Sequence, residues 1–116
     1  MNFINMTPHP VVIRKKDGSE ITIEPSGQVF RLDEEDERLH DIDGIELVYR
    51  KFKLPDSIPP EFSDPQVVVI VSLPALMALK ATGVSFDALI VAPDTGSGAI
   101  RDSQGRIVGT TRLITM

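Results

Sequence analysis

Residues 92–102 read Ala-Pro-Asp-Thr-Gly-Ser-Gly-Ala-Ile-Arg-Asp. This stretch gathers a carboxylate (Asp94), two hydroxyls (Thr95, Ser97), two glycines (Gly96, Gly98) and a guanidinium (Arg101). Backbone amides, hydroxyls and an arginine can together hold a phosphate or a carboxylate. Asp94 would then orient the loop or accept from a ligand hydroxyl. Alternatively, two copies of Asp94 meeting across a homodimer could share one proton, as paired carboxylates do in acid–base catalysis. A third reading is purely structural: Asp94 closes an Asx turn and the glycines relieve backbone strain.

The string Asp-Thr-Gly-Ser also carries the catalytic carboxylate of aspartic proteases, and Ile107-Val108-Gly109 matches the element that supports it there. The spacing argues against that reading. Only 22 residues follow Asp94, too few for a flap hairpin and a supporting strand. A short helical segment also runs just ahead of the motif. No catalytic residue is assigned; enzyme activity stays open as the less favoured reading, that of a small hydrolase or transferase in which His9 reaches the same pocket.

Two apolar runs must position this loop. Val67–Val71 is continuously apolar and β-branched, as expected of a strand covered on both faces. Ser72 follows as an N-cap, Pro74 fits a first helical turn, and Gly83 ends the helix. Residues 88–92 form the next apolar strand. A strand–helix–strand order predicts a right-handed crossover with parallel strands. Both strand ends then lie on one edge, where open α/β sheets bind ligands. The candidate ligand-binding set is therefore Ser72, Asp94, Thr95, Gly96, Ser97, Gly98 and Arg101, with Arg101 as counter-charge. His9, stiffened between Pro8 and Pro10, joins the set as a residue that could reach the same crevice.

The remaining elements read as antiparallel. Phe3 and Ile4 begin a strand, and residues 11–23 form a hairpin about Asp17-Gly18. Gln28–Leu32 reads as a third short strand. Asp43-Gly44 turns into a strand with Ile45, Leu47 and Tyr49 on one face. Residues 99–116 form a last hairpin about Asp102–Gly105, with Gly109 at a bulge or a close contact. The expected fold is α+β or α/β: a single mixed β-sheet, one main short helix in a βαβ unit, and peripheral antiparallel hairpins. Residues 1–116 form one domain. Its halves, a mostly antiparallel 1–53 and a βαβ-plus-hairpin 66–116, are joined by residues 54–65, which hold four prolines.

The formal charge of −5 is local in origin. Residues 33–43 hold seven acids and one arginine, while the other 105 residues hold ten acids and eleven bases. Mutual repulsion predicts an exposed loop or one irregular helical turn there, serving as a solvated face or as an acidic docking surface for a basic partner. It lacks the glycine-centred order of an EF-hand. With no cysteine, and His9 and His40 far apart, no metal site or cofactor is expected. Clustered bases are too few to favour nucleic acid. No run approaches a membrane span, and the N-terminal residues do not read as a signal peptide. The absence of cysteine suggests a cytoplasmic location. There is no Walker loop and no Gly-x-Ser-x-Gly elbow.

Four segments carry a resemblance: Asn-Met-Thr-Pro-His-Pro-Val near the start, Val-Ile-Val-Ser before the helix, Ala-Pro-Asp-Thr-Gly, and Arg-Asp-Ser-Gln-Gly-Arg-Ile-Val-Gly near the end. Together the chain resembles a set of small bacterial and phage proteins without an assigned activity. The resemblance implies a prokaryotic or phage origin and carries no residue role. The expected function is a non-enzymatic accessory or protein-interaction module, with a host protein as partner. The alternative is a small-molecule-binding protein that takes an anionic or nucleotide-like metabolite at the edge near Ser72 and Asp94–Gly98. Homo-oligomer formation fits either reading.

Overall fold

The computed structural model describes all 116 residues. Ten strands and one α-helix follow in order: β1 (Asn2–Asn5), β2 (Val11–Arg14), β3 (Glu20–Ile23), β4 (Asp33–Ile42), β5 (Ile45–Lys53), β6 (Val67–Ile70), α1 (Leu73–Thr82), β7 (Leu89–Pro93), β8 (Ala99–Arg101), β9 (Ile107–Thr110) and β10 (Leu113–Thr115). A 3-10 turn at Pro60–Ser63 precedes β6.

β6 explains the layering. All four of its residues are buried, because side chains on both faces are covered. Val67 and Val69 pack with Val71, Met6, Phe30, Phe62, Leu76 and Leu79, on the helix side. Val68 and Ile70 pack with Val11, Ile13 and Val91, against the second sheet. The predicted parallel pairing holds: Val69 stands opposite Ile90 and Ile70 opposite Val91. Ser72 caps α1 through its Oγ, which accepts from Ala75 N–H at 3.3 Å, and Gly83 closes it with a left-handed φ of 74°.

The expectation of one mixed sheet is overturned. The fold is mixed α+β with three sheets: β1-β6-β7-β10, β3-β2-β9-β8, and the pair β4-β5. The reason lies in the same apolar strand. A helix covers only one face of β6 and β7, so the β2–β3 and β8–β9 hairpins stack on the other face instead of extending the sheet edge. β1 pairs with β6, and β2 with β9, so both larger sheets draw strands from either side of residues 54–65. That proline-rich segment also contributes Phe62, fully buried between the rings of Phe30, tilted at 4.8 Å, and Phe86, edge-on at 4.9 Å. Gly109 sits where an added Cβ would lie 3.0 Å from the Val12 carbonyl oxygen, so its small size serves sheet contact.

Two local expectations also fail. Gln28–Leu32 forms no strand. Phe30 instead drops into the core, its N–H bonded to the Met6 carbonyl at 3.0 Å. The acidic run is a strand, β4, not a loop or helical turn. Its carboxylates alternate across the strand and meet bases on β5: Arg50 binds Asp36 and Glu34, Lys51 faces Glu37, and Lys53 faces Glu35. Opposite charges across the ladder replace the repulsion that a single strand would suffer. Asp43 and Gly44, both at positive φ, make the two-residue turn. Residues 33–43 are all exposed, as expected.

β4 and β5 together form an arm about 30 Å long. It accounts for the extended shape. The radius of gyration is 16.6 Å, against about 13 Å for a compact domain of similar size. No helix is long and apolar enough to cross a membrane.

Candidate functional site

The Asp94 loop is built inward. Asp94 leaves the end of β7, with its N–H bonded to the Arg112 carbonyl at 3.1 Å. Its carboxylate accepts from Gly96 N–H at 2.8 Å, Gly98 N–H at 3.1 Å and Arg112 Nε at 2.6 Å. The Asp94 side chain is only 9% exposed. The guanidinium of Arg112 also reaches Ser97 Oγ. Below it, the buried Thr110 hydroxyl lies 2.9 Å from the carbonyls of both Asp94 and Arg112. Thr111 fixes the Gly98 carbonyl through its N–H and its hydroxyl, each at 2.8 Å.

Arg112 first, and then the Gly96 amide, hold the Asp94 carboxyl below the usual carboxylate range, outweighing the effect of burial. Asp94 is thus an ionised acceptor at neutral pH, with both oxygens engaged by its own loop. That arrangement clamps the loop to the β9–β10 connection. It offers no proton to donate, and three of the carboxylate's acceptor positions are taken within the protein.

The other candidate residues lie apart from it. Arg101 donates to the Gly105 carbonyl at 2.7 Å, within its own hairpin. The His9 imidazole makes no hydrogen bond. The carbonyl of His9 instead receives Asn5 Nδ2 at 2.8 Å and Thr7 Oγ1 at 3.0 Å. Asn5 and Thr7 are buried and hold the 5–9 turn rigid. Thr95 is exposed and lines, with Asp94 and Gly109, a hollow of about 160 Å³. That is smaller than the roughly 300–1,000 Å³ of small-molecule sites.

Ser72 belongs to a different concavity. A cleft of about 480 Å³ runs between the α1 N-terminus, the 5–8 turn and the root of the arm. Phe30, Leu32, Phe52, Ala75 and Ala78 supply its apolar wall, while Arg31, Glu34 and Arg50 supply its charges. The two strand ends share an edge, as expected, but Ser72 and Asp94 line separate hollows.

Sequence reasoning missed Arg112, Arg31 and the arm. Arg112 is 18 residues from the carboxylate it pairs with, and no local pattern marks it. Arg31 is a lone base ahead of an acidic run. The arm is half legible: the Asp43-Gly44 turn and the apolar period of Ile45, Leu47 and Tyr49 mark β5, while no local pattern marks its partner strand. No three His, Cys, Asp or Glu side chains converge as metal ligands. No protein-family model, no curated protein and no solved structure matches this chain.

Proposed function

We propose that the chain is a protein-interaction module whose recognition element is the β4–β5 arm, and whose partner presents a basic surface. One observation carries the reading: a two-stranded ribbon extends from the body with a large apolar stripe uncovered. Pairing of Ile42 with Ile45, and the period of two along β5, put Ile42, Ile45, Leu47 and Tyr49 on one side. Ile45 is 69% exposed and Tyr49 56%. An isolated hairpin is marginal in water, so a ribbon that displays isoleucine and tyrosine at its tip gains most by burying them elsewhere.

Charge favours a basic protein over a second copy. Residues 33–53 hold eight acids and four bases, a net −4, which leaves −1 for the rest of the chain. Two arms repel one another, and the body offers no positive counterpart. A basic partner would be steered onto the arm by these charges and held by the apolar tip. The free ribbon edges add main-chain hydrogen-bonding capacity. The Asp94 loop, with its carboxylate consumed internally, supports the same reading by leaving little for a ligand. A prokaryotic or phage setting, which the resemblance implies, suits such an accessory role.

Photo-crosslinking tests it. A benzoylphenylalanine placed at position 45 should yield a discrete adduct with a basic protein in cells of the native source. The same group at position 104, in the exposed 102–105 turn, should not. Equal adducts from both positions, or an arm adduct that is only a second copy of this chain, would reject the reading.

A further inference from the structure

We infer that the cleft at the root of the arm binds a small molecule with an apolar body and a single carboxylate. The inference stands independently of the arm's role in binding proteins. The volume, about 480 Å³, lies within the range of small-molecule sites, roughly 300–1,000 Å³. Its wall is supplied from four separate segments: Met6, Phe30, Phe52 and Ala78 among them. Phe30 and Ala78 are also part of the folded core, so that side of the cleft is pre-formed.

One unpaired cation sets the polar contact. Arg50 and Glu34 both line the cleft, but Arg50 is already shared between two carboxylates. Arg50 Nη1 lies 3.4 Å from Glu34, and its Nε lies 2.8 Å from Asp36. Arg31 forms no ion pair and no hydrogen bond, and its exposed side chain is the one cation lining this site without a carboxylate partner. The α1 N-terminus adds little of its own. Pro74 has no N–H, and the Ala75 N–H is taken by Ser72 Oγ. One arginine fits one carboxylate as a forked pair. A multiply charged phosphate would find no second free cation and would meet Glu34. The contacts therefore favour a fatty or aromatic monocarboxylate over a nucleotide.

The test uses 8-anilinonaphthalene-1-sulfonate as fluorescent reporter on the full chain, with decanoate and decanol as competitors. Saturable enhancement is expected, with decanoate displacing the dye at least about tenfold more effectively than decanol, the size of effect a charged hydrogen bond supplies. Arg31→Gln should remove that preference, and Ala75→Phe, on the half-buried helix face that lines the cleft, should abolish enhancement. Ile45→Ser at the arm tip should leave all three readings unchanged. Circular dichroism would verify folding of each variant. Equal displacement by decanol and decanoate, or undiminished binding in folded Arg31→Gln and Ala75→Phe, would overturn the assignment.

Discussion

Replacing Gly98 by alanine distinguishes a clamp from a ligand loop. The backbone at Gly98 does not require glycine on conformational grounds, since its φ is not positive. Space is the constraint. A Cβ there would sit 2.7 Å from Asp94 Oδ2, 2.8 Å from Arg112 Cγ and 2.9 Å from Arg112 Nε. The residue cannot slide away, because Thr111 fixes its carbonyl and Asp94 its N–H. Overpacking of this kind costs about 1–3 kcal/mol. At about 4 °C per kcal/mol for a domain of this size, the melting temperature should fall by about 4–12 °C. Gly96 supplies the internal comparison. Its added Cβ would meet only Asp94 Oδ1, at 3.3 Å, on an exposed loop, so alanine there should change stability by no more than about 0.5 kcal/mol. Thermal and urea unfolding of both variants, followed by far-ultraviolet dichroism, gives the answer. A Gly98→Ala protein as stable as wild type, or a Gly96→Ala protein equally damaged, would refute the packing argument.

Phe62→Ala should lower stability by about 3–5 kcal/mol in urea unfolding, because a fully buried ring between two other rings leaves a cavity; a loss below about 1 kcal/mol would mean that the 60–63 turn is not part of the core. Acid should destabilise the fold in a defined window. Arg112 and the Gly96 amide depress the Asp94 pKa, the Arg106 amide depresses that of Asp102, and Arg50 depresses that of Asp36. A depressed folded pKa contributes stability above the unfolded value of about 3.9 and loses it as pH falls through the folded value. The urea midpoint should therefore be insensitive to these groups above about pH 5 and drop below about pH 4, with a shallower drop in Asp94→Asn. An equal acid slope in that variant would remove Asp94 from the account.

The parts of this fold that sequence made legible are those whose signals are contiguous. Val67–Val71, the Ser72 cap and Gly83 lie within 17 residues, and they suffice for the β6–α1–β7 unit. The Asp17-Gly18 turn places a hairpin by local chemistry, and Asp43-Gly44 marks the start of β5 though not its pairing with β4. The number of sheets was not legible, because a strand apolar on both faces states only that it is covered, not whether by helix or by sheet. The acidic run misled because its neutralising bases lie 14 to 18 residues away, on β5. The candidate loop was found by type and misread by role: the arginine that engages Asp94 is Arg112, while Arg101, nearer in sequence, bonds within its own turn.

The most direct measurement is the affinity of the partner captured at position 45 for wild-type protein and for the Ile45→Ser/Tyr49→Ser double variant, at low and at high salt. Neither side chain is covered by the body, so the double variant should melt within about 0.5 kcal/mol of wild type. Binding should weaken at least about tenfold, as for the loss of a buried apolar anchor. Salt should weaken the wild-type complex as well, by screening the arm's net charge. Unchanged affinity in the folded double variant, or binding indifferent to salt, would contradict the assignment of the arm as an acidic, apolar-tipped recognition element.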